Sequence, residues 1–290
     1  MPERFALGLA GYPLGHSISP ALHQAALAAA GLAGDYRLFE APPLPEGEAA
    51  LARLMQALRR AELHGLNVTI PHKQNMLHWI DEVSPAARSI GAVNVVYCQD
   101  GLLVGDNTDA AGFDADLQRF LRQAGRPLVG QALVLGAGGS ARAVVHALLA
   151  GGWSIHVAAR RAAQAQALAD AFAASRVQPL LLEPGALRSV PPPDLIVNST
   201  PLGMHPQAAA SPWPEELPLH RGAAVYDLVY NPSQTCLVRA ARLAGSPACS
   251  GLGMLVEQAA LSFERWTGCA ADRAAMLSAA HMLLNAKGAI

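Results

Sequence analysis

Lysine is almost missing from this chain. Of its 21 basic residues only Lys73 and Lys287 are lysines, and the rest are arginines. Charge of either sign is scarce, at 15% of residues, and the formal net charge is −1. A chain so balanced has no global attraction for nucleic acid or for an anionic membrane surface. No apolar run approaches the roughly 20 residues of a membrane span. The four cysteines, Cys98, Cys236, Cys249 and Cys269, are scattered, with no C-x-x-C pair. That excludes a zinc ribbon and a disulfide framework and points to reduced thiols. The histidines form no H-E-x-x-H pattern. His72 and His78 could share a helix face but bring no third ligand, so no metal site is expected. The opening residues carry an acid at Glu3 and lack the layout of a signal peptide, so a cytoplasmic location is expected. A homodimer is compatible with the sequence.

What is present is an apolar chain of 290 residues, 52% hydrophobic, long enough for two domains. Short apolar runs alternate with amphipathic stretches, which predicts an α/β fold with a largely parallel sheet. "FALGLAG", "DYRLFEA" and "LHGLNVTI" read as strands. "SPALHQAALAAAG" reads as a helix with Ser19 as N-cap, Pro20 first inside and Gly31 at the stop. "EGEAALARLMQALRRA" reads as a second helix. "GAVNVVYCQDGLLVGDNTD" reads as a hairpin turning at Gln99-Asp100-Gly101. "ADLQRFLRQAG" is a helix suited to link two domains. Strands are expected at "PLLLE", "DLIVNS" and "AAVYDLVY", and helices from Gly251 to the end. Proline-rich "APPLPEG", "VPPPD" and "SPWPEELP" read as loops.

The clearest motif is "QALVLGAGGSARAVVHALLAGGWSIHVAAR", a strand, a glycine turn, a helix and a second strand. Gly136, Gly138 and Ala141 stand in G-x-G-x-x-A spacing, with Ala137, Gly139 and Ser140 between them. Gly136 suits a tight turn. Gly138 lets the backbone approach a pyrophosphate, and the helix N-terminus supplies free N–H groups. An NAD site usually places a carboxylate about 20 residues further on. Here no Asp or Glu occurs between Asp116 and Asp170, and Ala159 is followed by Arg160 and Arg161. Two guanidiniums with no competing carboxylate suit a 2′-phosphate, which favours NADP. The plainer alternative is a solvated helix start.

Lys73, in "GLNVTIPHKQ", stands out against the arginine background. Arginine stays charged, whereas a lysine can exchange a proton when its surroundings shift it. An exposed lysine kept by chance is the alternative. Asp109, in "VGDNTDAAGF", could orient the Lys73 ammonium, cap the following helix, or do both.

Taken together, "GYPLGHSISPALH", "NVTIPHK", "IGAVN", "GDNTDAAGF", "VLGAGGSARA", "VYDLVYNP" and "GLGMLVEQAA" resemble, in order and spacing, the AroE-type shikimate dehydrogenase family along essentially the whole chain. The resemblance implies reversible NADPH-dependent reduction of 3-dehydroshikimate to shikimate, a step towards chorismate and the aromatic amino acids. It implies an N-terminal α/β substrate domain and a Rossmann-type NADP domain separated by a cleft. The substrate domain would span residues 1–108, completed by helices in 251–290, and the NADP domain residues 109–250. Lys73 and Asp109 fall on catalytic positions. Ser17 and Ser19 fall on positions that hold the substrate carboxylate. Asn67, Thr69, Asn94, Tyr230 and Gln258 fall on positions that bond the carboxylate or ring hydroxyls. Leu228 and Gly251 fall near the nicotinamide. The family's usual Asn-Arg-Thr and following basic residue are here Ala159-Arg160-Arg161 and Gln164. Ile18 replaces a common lysine. The rivals are a quinate/shikimate dehydrogenase, a non-catalytic NADP-binding sensor and a folate enzyme. The serine pair and the absent carboxylate lean towards shikimate and NADP.

Overall fold

The computed structural model describes residues 4–173 and 175–288. It forms two units. One is built from the chain up to Asp109 and from Val256 onward, the other from Ala110–Leu255.

The first unit opens with β1 (Phe5–Gly11), α1 (Ser19–Ala29), β2 (Gly34–Glu40), α2 (Glu48–Arg59) and β3 (Gly65–Val68). A 3-10 turn at Asn75–His78 leads to β4 (Glu82–Val83), α3 (Pro85–Ile90), β5 (Val95–Gln99) and β6 (Leu102–Asp106). The sheet is six-stranded in the order β2-β1-β3-β5-β6-β4. β1 is parallel to β2 and β3, but β5 runs antiparallel to β3 and β6, so this sheet is mixed. The β5–β6 pairing is a hairpin. Asp100 (φ 52°) and Gly101 (φ 83°) both have the positive φ of a tight Asp-Gly turn.

Helix α2 shows why the sheet has a covered face. Leu51, Leu54, Met55 and Leu58 recur at helical spacing, and all are buried with Leu66, Val68 and Val96. Truncating Leu51 or Leu58, both fully buried, to alanine would destabilise by about 2–5 kcal/mol. The opposite face of β3 carries Asn67. Strand register puts Leu7 beside both Tyr36 and Gly65, and Leu9 beside Asn67. With side chains alternating along each strand, Tyr36, Gly65 and Asn67 therefore share one face.

Ser19 is not the N-cap of α1. That position belongs to Ile18, whose carbonyl accepts from the amides of Ala21 and Leu22. The Ser19 side chain makes no capping bond and instead meets the phenol of Tyr36. A tertiary partner has overridden the local preference.

The second unit begins with α4 (Asp109–Gln123), whose first residue still belongs to the first unit. Then follow β7 (Gln131–Leu135), α5 (Gly139–Ala150), β8 (Ser154–Ala159), α6 (Ala162–Phe172), β9 (Val177–Leu181) and α7 (Pro184–Ser189). β10 (Leu195–Asn198), β11 (Ala224–Asp227), α8 (Cys236–Leu243) and β12 (Ala248–Ser250) complete its sheet. Helix α9 (Leu252–Thr267) carries the chain back to the first unit, where α10 (Arg273–Gly288) packs on α1. The strand order is β12-β11-β10-β7-β8-β9, and every pairing is parallel. Counted from β7, this is the 3-2-1-4-5-6 order of a dinucleotide-binding sheet, with its switch point between β7 and β10. Residues 132–135 of β7 are all buried, as expected of a strand covered on both faces.

β9 lies two residues earlier than the expected "PLLLE". Pro179 is tolerated because β9 is an edge strand, and Pro184 begins α7 instead of ending a strand. No helix among the described residues is long and apolar enough to cross a membrane.

Candidate active site

The first unit gathers a set of polar side chains around Lys73. Lys73 Nζ donates to Asp109 Oδ2 at 2.6 Å, and the two side chains are only 12% and 5% exposed. Lys73 is therefore not a stray surface residue. Its turn is held from both sides: the Val93 amide donates to the Lys73 carbonyl, and the neighbouring His72 ring is buried with Nε2 at 2.8 Å from the Ala41 carbonyl. Asp109 is the first residue of α4, and both its carboxylate oxygens have partners in the first unit. Oδ2 faces Lys73 and Oδ1 accepts from Asn94 Nδ2 at 2.9 Å. The Asn107 side chain accepts from the Asp109 amide.

The Nδ2 of Asn94, which is 2% exposed, also lies 3.0 Å from Thr108 Oγ1 and 3.4 Å from Gln258 Oε1, so its two hydrogens are shared among three acceptors. Its Oδ1 accepts from the Thr108 amide. Asn67 accepts from the Tyr36 hydroxyl at 2.8 Å and donates to the Asn94 carbonyl and Ser262 Oγ. Ser262 Oγ in turn donates to the Gln258 carbonyl. Lys73, Asp109, Asn94, Asn67 and Gln258 thus form one continuous network. Ser19 joins it through Tyr36, and the Ser17 hydroxyl accepts from the Ser19 amide. Thr69 sits at the mouth of the Lys73 turn, its carbonyl accepting from the His72 amide. Tyr230 follows β11 and belongs to the second unit. Ser262 and Tyr36 carry no motif of their own in the sequence. Only their partners mark them.

Beneath this network lies an aromatic block. The His23 ring stacks on Tyr36 with centroids 4.2 Å apart and planes within 3°, and Trp266 lies 5.4 Å from His23. Burial pushes the His23 imidazole down to about 3, with a weaker contact to Asn67 opposing the shift. Burial also holds the Tyr36 phenol well above its ordinary range, with the Ser19 side chain opposing.

In the second unit the glycine turn leaves β7 for α5. Gly136 has φ 109°, and a Cβ there would stand 2.7 Å from Ser199 Oγ. Glycine is required at that point by conformation and by space alike. Gly138, the N-cap of α5, differs: a Cβ would meet nothing within 4 Å. Its openness is not used by the protein's own packing. A phosphate against the first N–H groups of α5, which have no side-chain cap and no acid in the first turn, fits that space. Ala137, Ser140 and Ala141 complete the turn, with Ala141 fully buried against the sheet. Beyond β8, Ala159 is buried while Arg160 and Arg161 are exposed, and their guanidiniums make no hydrogen bond or ion pair among the described residues. Two open cations at this strand end fit a 2′-phosphate.

Leu228 and Gly251 are in contact: a Cβ on Gly251 would overlap the Leu228 backbone. Between them and the glycine turn stands a frame the sequence reading missed. Asn198, ending β10, donates to Asp227 Oδ1 at 2.8 Å and accepts from the amide and hydroxyl of Thr200. Asp227 accepts further from Thr235 Oγ1 and the Val229 amide. Burial raises the Asp227 carboxyl, against the opposing bonds from Thr235, Val229 and Asn198. The available signal was "NST" at the end of an apolar strand, next to the switch point.

Residues 9–96 match the family described as shikimate dehydrogenase substrate binding domain, and residues 251–281 match shikimate 5′-dehydrogenase C-terminal domain. The shikimate dehydrogenase (NADP(+)) of Shouchella clausii is 38% identical over 279 residues, covering 96% of this chain and 98% of its own. The chain belongs to the shikimate dehydrogenase family. A crystal structure of shikimate 5-dehydrogenase (AroE) from Thermus thermophilus, in complex with NADP(H) and shikimate, superposes with a TM-score of 0.82 at 40% identity and covers 96% of this chain and 99% of that one. Quinate dehydrogenase from Corynebacterium glutamicum, in complex with NAD, superposes at 0.84 with 33% identity, covering 95% of this chain and 98% of that one. Within one architecture, then, members differ in both substrate and cofactor. The decision lies in particular side chains.

Proposed function

We propose that this protein reversibly reduces 3-dehydroshikimate to shikimate with NADPH, as an alcohol dehydrogenase of the shikimate pathway. The observation that carries the reading is the buried Lys73–Asp109 pair inside a network of amides and hydroxyls. Bound NADPH supplies the hydride. Gly136, Gly138 and the start of α5 would hold its pyrophosphate, Arg160 and Arg161 its 2′-phosphate, and Leu228 and Gly251 would border its nicotinamide.

Lys73 exchanges the proton of the reacting ring oxygen. Asp109 takes one of the three ammonium hydrogens and fixes where the others point. Asn94 holds the second Asp109 oxygen, so the carboxylate cannot swing away from the lysine. Asn67, Thr69 and Gln258 bond the carboxylate or ring hydroxyls, and Ser17 and Ser19 take the substrate carboxylate. A site built this way rejects analogues that lack a hydroxyl, because a buried polar group is then left without a partner.

The substrate domain is the first unit and the NADP domain the second. The near-neutral charge supports a small-molecule partner and no nucleic acid. The four free cysteines suit a reducing cytoplasm. A homodimer remains part of the proposal, to be read from sedimentation.

The test is absorbance of reduced nicotinamide with shikimate or quinate, each with NADP or NAD. Fast turnover with shikimate and NADP alone is expected. Comparable rates with quinate and NAD would move the chain to the quinate dehydrogenase branch. No turnover in any combination would leave a cofactor-binding module.

A further inference from the structure

We propose that Tyr36, backed by the flat ring of His23, is a positioning residue that fixes Asn67 as a pure hydrogen-bond acceptor towards one ring hydroxyl of the substrate. The inference rests on the shikimate reading and deepens it.

An asparagine amide offers two hydrogens and two lone pairs. Both Asn67 hydrogens are spent inside the protein, on the Asn94 carbonyl at 3.1 Å and on Ser262 Oγ at 3.0 Å. The direction of these bonds is forced. A backbone carbonyl only accepts, and the Ser262 hydrogen is already given to the Gln258 carbonyl. A flipped amide would set its oxygen against both acceptors. One lone pair of Oδ1 takes the Tyr36 hydroxyl, so one lone pair is left for a ligand. Such a group bonds a hydroxyl hydrogen and nothing else.

Tyr36 is placed to enforce this. It is 7% exposed on β2 and shares a sheet face with Asn67. His23 is fully buried, stacks on the phenol ring, and makes only a weak contact to Asn67, with neither ring nitrogen in good hydrogen-bond geometry, so it serves as a wall. Ser19 and His23 are four apart on α1 and face the same side. Trp266 completes the block and occupies the room that a Cβ on Gly65 would need. The phenol therefore has one place to be, against Asn67 and Ser19.

Tyr36→Phe keeps the ring and the stack and removes only the hydroxyl. The expected result is a rise of about tenfold in KM for shikimate, kcat within about threefold, and an unchanged KM for NADP, as for loss of ground-state binding. In an Asn67→Ala background the same substitution is expected to add nothing. A second test uses the unaltered enzyme with shikimates in which one ring hydroxyl at a time is replaced by hydrogen or fluorine. Fluorine accepts but cannot donate. At one ring position the fluoro analogue should bind as poorly as the deoxy analogue. The proposal is overturned by an unchanged KM in Tyr36→Phe, by equal effects in both backgrounds, or by fluoro analogues that bind like shikimate at every position. Absent turnover of shikimate by the unaltered chain overturns the underlying reading, and this proposal with it. Turnover with any of the former results overturns the proposal alone.

Discussion

His23 should make this protein lose stability in mild acid, and the size of the loss follows from its surroundings. The ring is fully buried, stacked on Tyr36, and has only a weak contact to Asn67, with neither nitrogen in good hydrogen-bond geometry. Burial lowers its pKa from 6.5 in the unfolded chain to about 3 in the folded one. Between those values the unfolded state binds a proton that the folded state refuses. Stability is therefore full above pH 6.5 and falls as the pH drops from 6.5 towards 3. The slope approaches ~1.4 kcal/mol per pH unit, so going from about pH 8 to about pH 5 removes about 2 kcal/mol through this one ring. The assay is urea unfolding at both pH values, with His23→Phe as the comparison. Phenylalanine keeps a flat ring against Tyr36 and cannot titrate. The other histidines are common to both proteins and cancel. The unaltered protein should lose about 2 kcal/mol more than the variant, a midpoint difference of about 1 M urea at the slopes usual for such transitions. An equal pH effect in both proteins would refute the reasoning. So would a His23 imidazole resonance that titrates between about pH 7 and about pH 5.

Lys73→Ala should lower kcat by at least about a hundredfold with little change in KM for shikimate, and Lys73→Arg should be no better, because a guanidinium does not exchange its proton. Both are read from reduced-nicotinamide absorbance, and a fast arginine variant would contradict proton exchange. Arg160→Ala should raise KM for NADP about tenfold and leave NAD unaffected, and equal effects on both would contradict the 2′-phosphate contact. Gly253→Ala should destabilise by about 1–3 kcal/mol, seen as a lower Tm, because the new methyl overlaps the buried Asp116 carboxylate. An unchanged Tm would mean that α4 and the start of α9 yield easily.

Strong local signals carried over into the fold. The helical spacing of Leu51, Leu54, Met55 and Leu58, the Asp-Gly turn and the glycine turn after β7 each depend on residues close together in the chain. Weak local signals did not. β4 has two residues and α3 and α7 six each, too short to show a period. Ser19 has the chemistry of a cap, but its hydroxyl answers to Tyr36, on another strand. The site divides in the same way. Residue type against an arginine-rich background marks Lys73, and a carboxylate after the hairpin marks Asp109. The pair stands 2.6 Å apart. The bond from Asn67 to Ser262 spans 195 positions, and no pattern within a window could announce it.

The first unit is written in two pieces. The chain leaves it at Asp109 and re-enters at Val256. The late piece brings Ser262, which orders Asn67, and Trp266, which lies over Gly65. A ribosome delivers those residues last. While the polypeptide is still being made, Gly65 of β3 lacks its Trp266 cover and one Asn67 hydrogen lacks its Ser262 acceptor. The second unit is an unbroken stretch, Ala110–Leu255, and emerges whole before that happens. Domains fold as units as they are synthesised. The half of the chain begun first is thus the half finished last, and a nascent chain stalled at Leu255 would hold a complete second unit and a first unit that cannot yet close its core.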